Sequence, residues 1–327
     1  MKHRPSTLMA IFIFLLSASL LQSRAAFSTE MPLAVSDMHA TAFHYFFQDG
    51  DMDFHFGNLI LGSAVHGGAG IGEAFYAASR IRDGNAGDWQ REWAELAGRV
   101  EARGETALAA GHLVSARDQL LRAAYYYRLS LVSMLPDNPA FKERGAKVRE
   151  LFQKGGALFD PPVEYFEVPF EGTSLPGYFR KAASGDRPVK TLLMIGGGET
   201  FAEDLFFYIA HQAHARGYNF ATVDLPGQGL LPLEGMVFRT DTHAPVKAVV
   251  DVLVKRPDVD TERLSAFGIS GGGLFVPQAA MFDPRIKAVA MCSAVVDARP
   301  LFATMPAALD TPEERAGWTS FHEGVVK

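Results

Sequence analysis

The feature that most constrains the fold is the pentapeptide GISGG at residues 268–272. The apolar run LSAFGI, which ends just before Ser270, predicts a strand, and GLFVPQAAMF after the pentapeptide predicts a helix. In that context a G-x-S-x-G pattern places its serine on a sharp, strained turn, where the hydroxyl is exposed. Ser270 is therefore the candidate catalytic nucleophile. The alternative is a glycine-rich helix start with a serine near its N-cap.

The chain from residue 163 onward alternates between strand-like and helix-like segments. Residues 165–170 and 175–180 predict paired strands around the turn EGTS. The apolar run KTLLMI at 190–195 predicts a strand buried on both faces. Further strands are predicted at 219–225, 264–269 and 286–296, and helices at 202–215, 245–255 and 271–281. Such alternation predicts an α/β fold with a mostly parallel sheet flanked by helices.

The preceding part of the chain, from about residue 36 to 158, predicts helices. Residues 88–103 carry four large apolar side chains at helical spacing, and further helices are predicted at 112–134 and 139–154. Gly104 and Gly111 are expected to interrupt these segments. The sequence GGALFDPP then marks a domain boundary. We therefore predict a helical cap domain at 26–158 and a catalytic domain at 159–327.

The first 25 residues differ from the rest of the chain. Lys2, His3 and Arg4 precede an apolar run from Leu8 to Leu21, which is short for a membrane span. Small residues at 23 and 25 follow at the spacing of a signal-peptidase site. This pattern predicts a signal peptide cleaved after residue 25 and an exported protein. An uncleaved membrane anchor is the alternative.

Composition excludes several kinds of partner. The formal net charge is −6 and no basic run is present, so we predict no binding to nucleic acid. His211 and His214 lie three residues apart without an evident third ligand, and no H-E-x-x-H motif occurs, so no metal is predicted. No cofactor motif is present either. Cys292, the only cysteine, lies in the last predicted strand and is interpreted as a small core residue.

Two glycine-rich segments follow predicted strands. A serine nucleophile requires hydrogen-bond donors for the oxyanion of its tetrahedral intermediate. The backbone N–H groups of Gly271, next to Ser270, and of Gly198, in the segment GGGET, are the candidate donors. The alternative for GGGET is a flexible turn. The second segment, DLPGQG at 224–229, is interpreted as architectural, so Asp224 is expected to be structural.

These motifs resemble those of the α/β-hydrolase superfamily. In the helical part, DWQREWAELAGRVEARGETALAAGHLVSARDQLLRAAYYYR is similar to the N-terminal cap of the dihydroxypseudooxynicotine hydrolase group, which includes fungal pigment-pathway hydrolases. The resemblance implies a serine hydrolase that cleaves a carbon–carbon or ester bond beside a carbonyl. It implies Ser270 as nucleophile and Gly198 and Gly271 as oxyanion donors. The implied partners are a small carbonyl or ester substrate and a second copy of the chain in a homodimer.

The remainder of the catalytic triad is not identified. In this superfamily the acid and then the histidine follow the serine along the chain. Only 57 residues follow Ser270, so we predict that the sequence is C-terminally incomplete and that both residues lie beyond Lys327. Asp297 and His322 are weaker alternatives.

Three functions are compatible with these residues: the hydrolase of small carbonyl compounds, a broad-specificity secreted esterase or peptidase, and a non-catalytic protein. The substrate itself is not disclosed. The tyrosines at 125–127 could line a pocket under the cap, although aromatic residues at helical spacing more often belong to a core.

Overall fold

A computed structural model describes residues 44–183, 187–198 and 200–293. Helices come first along the chain. Helix α1 (Gly50–His55) continues as a π-helical segment (Phe56–Leu61) and a short α-helical turn (Gly62–Ala64). The next helices are α2 (Ile71–Ala78), α3 (Ala86–Ala109), α4 (Leu113–Leu129) and α5 (Pro139–Gly156).

Helix α3 illustrates why the helical part folds as it does. Asn85 caps its start by accepting a hydrogen bond from the backbone N–H of Asp88 at 2.9 Å. The apolar side chains predicted to share one face are buried against α4 and its neighbours: Trp89, Trp93, Leu96 and Val100. The predicted break at Gly104 was wrong, because α3 runs through it. A Cβ at residue 104 would lie 3.0 Å from Leu120 Cδ2, so glycine there allows α3 and α4 to approach closely.

The strands follow and form one six-stranded sheet. They are β1 (Val163–Phe170), β2 (Thr173–Arg180), β3 (Val189–Ile195), β4 (Asn219–Val223), β5 (Val259–Ile269) and β6 (Ala288–Cys292). Their order is β1-β2-β4-β3-β5-β6. Strands β1 and β2 are antiparallel, and the other four are parallel to one another. The predicted α/β fold with a mostly parallel sheet is confirmed.

Helices connect the parallel strands. Helix α6 (Ala202–Leu205) follows β3 and continues through a π-helical segment (Phe206–Ala210) and a last α-helical turn (His211–Ala215). Helix α7 (His243–Leu253) precedes β5, and α8 (Gly272–Phe282) follows it. In a parallel sheet all such crossovers begin at the same edge, which is where the sequence places both of its glycine-rich segments.

One interpretation of a single residue was wrong. Cys292 is exposed rather than part of the core. It is the last residue of β6, which pairs only with β5 among the described strands and forms an edge of the described sheet. The apolar pattern of this segment matches that of a central strand, but burial depends on the neighbours that a strand receives in the folded sheet.

A buried ion pair joins α4 to α6, the helix that follows β3. Arg128 of α4 donates from Nε to a carboxylate oxygen of Asp204 in α6 at 3.0 Å, and both side chains are almost completely buried. Asp204 also accepts a hydrogen bond from the backbone N–H of Phe201, at the start of α6. Burial raises the pKa of Asp204 to about 6, although Arg128 opposes that rise.

Replacing Arg128 with methionine is expected to lower the free energy of unfolding by about 3–5 kcal/mol, because Asp204 then stays buried without its counter-charge. The folded-state pKa of Asp204 is above the usual 3.8, so its contribution to stability decreases as pH rises from about 4 through 6. The loss should therefore be larger at pH 8 than at pH 5. Urea denaturation at both pH values measures it. The control Arg99→Met alters an exposed arginine near Glu95, and equal losses in both variants would contradict the prediction.

Several predictions fall on residues that the structure does not describe. The signal peptide or anchor at 1–25, the substitute triad residues Asp297 and His322, and the end of the last predicted strand lie outside the described residues. Export and homodimer formation stay predictions, as does the domain boundary at residue 158. In the described ranges, no helix is long and apolar enough to cross a membrane.

Candidate active site

Ser270 occupies the turn between the end of β5 and the start of α8. Its φ is +56°, a left-handed conformation that side-chain-bearing residues rarely adopt. Its carbonyl accepts a hydrogen bond from the N–H of Gly273 at 2.8 Å, which begins the helix. The residue is exposed. This strained strand-to-helix turn is the local geometry that the pentapeptide predicts.

The glycine after this turn is required by a close backbone approach. A Cβ at residue 272 would lie 2.2 Å from the carbonyl oxygen of Ile195, the last residue of β3. Because β3 and β5 are neighbouring parallel strands, the chain leaving β5 must pass directly over the end of β3. Glycine at 272 lets the backbone make that passage.

The glycine-rich loop after β3 reaches Ser270 at the same sheet edge. A Cβ at residue 197 would lie 2.6 Å from Ser270 Cβ, 2.7 Å from Ser270 Oγ and 2.8 Å from the backbone nitrogen of Gly271. Gly197 is therefore the loop residue packed against the candidate nucleophile. Gly198, the donor predicted from the sequence, is the next residue, and a Cβ there would meet no described residue within 4 Å.

Gln228 holds this loop, and sequence reasoning missed it. Its side-chain N–H₂ donates to the carbonyl oxygens of Gly196 at 2.9 Å and Gly197 at 2.7 Å. Its side-chain oxygen accepts from the N–H of Leu225 at 2.8 Å, and the residue is buried. With both carbonyls turned toward Gln228, the loop is held in one conformation. The motif DLPGQG contained a signal for this role. A glutamine between two glycines of a buried turn has a polar side chain that requires hydrogen-bond partners.

Replacing Gln228 with leucine is expected to lower kcat/KM by about 100-fold, since a displacement of about 1 Å in a catalytic group costs that much. The free energy of unfolding should also fall by about 1–3 kcal/mol, because buried carbonyl groups lose their donor. Steady-state kinetics and urea denaturation measure the two effects. Gln212→Leu is the control, since the side chain of this exposed glutamine bonds only Arg216 among the described residues. Unchanged kinetics for Gln228→Leu would contradict the positioning role.

Asp224, at the start of DLPGQG, has a structural environment. One carboxylate oxygen accepts from the N–H of Ala202 at 2.7 Å, which fixes the start of α6. The other lies 3.6 Å from Arg149 of α5, whose guanidinium is also 3.9 Å from Glu203. Burial, and next the charge of Glu203, raise the pKa of Asp224 well above its usual value. Two buried carboxylates thus share one arginine, which ties the helical part to this edge of the sheet.

Aromatic side chains divide between the core and the region of Ser270. Tyr125 and Tyr126 are buried, and their hydroxyl groups bond Leu59 O and Glu73, so the core interpretation of these residues is confirmed.

Phe275 of α8 lies against Gly271, with Cζ 3.3 Å from where a Cβ at 271 would be. Phe238, half exposed, stands 6.4 Å from it between ring centroids. These two rings form an apolar surface near the candidate nucleophile.

Within residues 44–183, 187–198 and 200–293, no three histidine, cysteine, aspartate or glutamate side chains are grouped as metal ligands.

The strand order, with a serine on a strained turn between β5 and α8, defines the class of α/β-hydrolases. Comparison with solved structures agrees. The 2,6-dihydroxy-pseudo-oxynicotine hydrolase superposes with a TM-score of 0.63 and 26% identity, over 80% of this chain and 76% of that one. The structure called AbyA5 wildtype superposes with a TM-score of 0.52 and 22% identity, over 78% of this chain and 69% of that one, and supports the fold alone.

The family follows from the sequence match. The model of the FrsA-like esterase family matches residues 80–313, and the chain belongs to that family. The match covers helices α3 to α5 together with the whole described sheet, so the resemblance that the motifs carried is confirmed.

Two fungal relatives illustrate the family. The 20-hydroxy-prefusarin hydrolase FUS2 of Gibberella moniliformis is 36% identical over 265 residues, which are 78% of this chain and 63% of the relative. Hydrolase ORFZ of Pyricularia oryzae is 36% identical over 261 residues, which are 75% of this chain and 61% of the relative. The chain thus spans about three fifths of the length of these curated relatives.

Proposed function

We propose that this protein is a serine hydrolase that cleaves an ester bond, or a carbon–carbon bond beside a carbonyl, of a small organic substrate. The observation that carries the proposal is the strained position of Ser270 between β5 and α8, in contact with the loop after β3. Membership of the FrsA-like esterase family supports it. The relatives' names describe hydrolases, two of them with small organic substrates, 20-hydroxy-prefusarin and 2,6-dihydroxy-pseudo-oxynicotine.

The chemistry proceeds through an acyl-enzyme. Ser270 Oγ attacks the substrate carbonyl carbon while a general base takes the hydroxyl proton. The backbone N–H groups of Gly271 and Gly198 donate to the oxyanion that forms. The tetrahedral intermediate then expels an alkoxide from an ester, or an enolate carbon from a β-dicarbonyl compound, and the protonated base returns its proton to that leaving group. Water hydrolyses the acyl-enzyme by the same steps and releases a carboxylic acid.

The base and its acid partner follow the nucleophile along the chain in this superfamily. We assign them to the part of the protein C-terminal to the described residues. The described residues supply the nucleophile, the loop that binds the oxyanion, and the apolar surface of Phe238 and Phe275 for the substrate.

A substrate panel tests the reaction class. The purified protein is given p-nitrophenyl butyrate, an aryl β-diketone and a peptide p-nitroanilide, and initial rates are compared. Turnover of the ester or the β-diketone, with carboxylic acid released in equal amount, is expected. Preferential turnover of the anilide would indicate a peptidase. If no substrate is turned over and Ser270 resists a fluorophosphonate probe, a non-catalytic protein is the better account.

A further inference from the structure

A cavity of ≈ 230 Å³ lies between the helical part and the helical segment that follows β3. Helix α4 contributes Arg117 and Arg122 to its wall, and the segment between α5 and β1 contributes Phe159. The π-helical continuation of α6 contributes Phe206 and Phe207. The wall therefore combines guanidinium groups with aromatic rings, which is the composition of many small-molecule sites.

The cavity is remote from Ser270. Arg180 lies over the ring of Phe159, 4.0 Å from its centroid, and is the last residue of β2. In the sheet it pairs with Phe220, near the start of β4, whereas Ser270 follows the end of β5, which runs in the same direction as β4. A five-residue strand spans roughly 17 Å. The cavity therefore lies near the end of the sheet where the parallel strands begin, and Ser270 lies at the end where they finish.

Positive charge exceeds negative charge around this cavity. Arg117 bonds the exposed Asp118 at 2.8 Å. Arg122 lies 3.7 Å from Glu73, but that carboxylate also pairs with Arg103. Arg180 has no carboxylate within ion-pair distance among the described residues, and its bonds go to Pro161 O and His214. The charge of Asp160 also attracts Arg180, but more weakly. One guanidinium group thus remains without an ion pair beside a partly enclosed space.

The pKa values of two groups near the cavity are lowered first by burial and second by neighbouring positive charge. Burial, followed by the charge of Arg117, lowers the pKa of Arg180 to about 10. Burial lowers the pKa of His211 to about 4, with further contributions from His66, Arg180 and Arg117. Asp118 opposes this shift, and its effect is the smallest of the named causes. At neutral pH His211 is therefore uncharged, first because it is buried and second because positive groups lie near it.

A histidine pair completes the wall. The rings of His66 and His211 are stacked, with centroids 5.0 Å apart and an angle of 6° between planes. The Nδ1 atom of His211 is buried and has no hydrogen-bond partner among the described residues. Buried polar atoms are nearly always satisfied in folded proteins, by protein groups, water or a ligand.

We propose that this cavity is a second ligand site that binds a small organic carboxylate. The carboxylate group binds Arg117 and Arg122, since planar guanidinium groups bind carboxylates through paired hydrogen bonds. The apolar body of the ligand lies against Phe159, Phe206 and Phe207. The inference does not depend on the reaction at Ser270, because the two sites share no residue.

Isothermal titration calorimetry of the full chain with sodium benzoate tests the site, with benzyl alcohol as the uncharged probe of similar shape. Benzoate is expected to bind at least about 10-fold more tightly than benzyl alcohol, the difference that charge-assisted hydrogen bonds supply. Arg117→Gln should weaken benzoate binding about 10-fold for the same reason. Arg99→Gln removes an exposed arginine of α3 and should leave binding unchanged.

Arg122→Gln provides a second variant, and circular dichroism confirms that each variant is folded before titration. Benzoate affinity that stays unchanged in both variants overturns the proposal, as does equal binding of the two probes or no binding of benzoate at millimolar concentration. Ser270→Ala should bind benzoate like the wild type, whereas loss of binding in that variant places benzoate at the other site and also overturns the proposal.

Discussion

Ser270→Ala is expected to lower kcat/KM for an activated ester by about 10⁴- to 10⁶-fold, while leaving the fold intact. In the proposed mechanism the oxygen of Ser270 forms the covalent bond to the substrate, so no neighbouring group can replace it at the same rate. The residue is exposed on its turn, and its side chain contributes little to the core. Steady-state kinetics and intact-mass analysis after fluorophosphonate treatment measure the loss of turnover and of labelling.

Ser293→Ala is the matched control for this experiment. Ser293 also has a positive φ, 62°, and it follows β6, the strand next to β5. It therefore shares the backbone strain and the sheet edge with Ser270 but lacks the glycine-rich loop. The control should keep full activity and labelling. If Ser293→Ala abolishes labelling and Ser270→Ala does not, the assignment of the nucleophile is wrong.

Gly197→Ala is expected to lower kcat/KM by at least about 100-fold, the loss typical of a damaged oxyanion site. An added Cβ would lie 2.6 Å from Ser270 Cβ and 2.7 Å from its Oγ. Carbon atoms pack at about 3.5–4.0 Å, so either the loop or the serine must move. Because Gln228 holds the carbonyl of Gly197, the loop is restrained, and we expect Ser270 to be displaced by the added Cβ.

Gly198→Ala is the control, because it adds the same atom one residue later. A Cβ there meets nothing within 4 Å among the described residues, and the backbone N–H that we assign to the oxyanion is retained. Activity should fall by less than about 3-fold, as expected of a change without steric conflict. Kinetics of the two variants side by side, with thermal unfolding to confirm folding, measure the contrast. Equal losses would show that contact with Ser270 is not what makes Gly197 necessary.

Much of the architecture could be predicted because it is encoded in local patterns. The apolar runs at 190–195 and 264–269 each lie within an observed strand, and the helical spacing of 88–103 lies within α3. The strained turn at Ser270 could be predicted as well, since strand, glycines and helix are all contiguous in the sequence. The predicted break at Gly104 was wrong because that glycine makes room for Leu120, which lies on another helix.

Local sequence patterns were therefore sufficient to predict the class of fold, the turn that carries the candidate nucleophile and the segment that approaches it. The folded structure was needed to show that Gly197 rather than Gly198 packs on Ser270, that Gln228 holds the loop, and that Arg117 and Phe159 border one cavity. These are contacts between residues 31 to 73 positions apart, as Gly197 is from Gln228 and from Ser270. Side-chain periodicity records which face of an element is buried, but it carries no information about which distant residue covers that face.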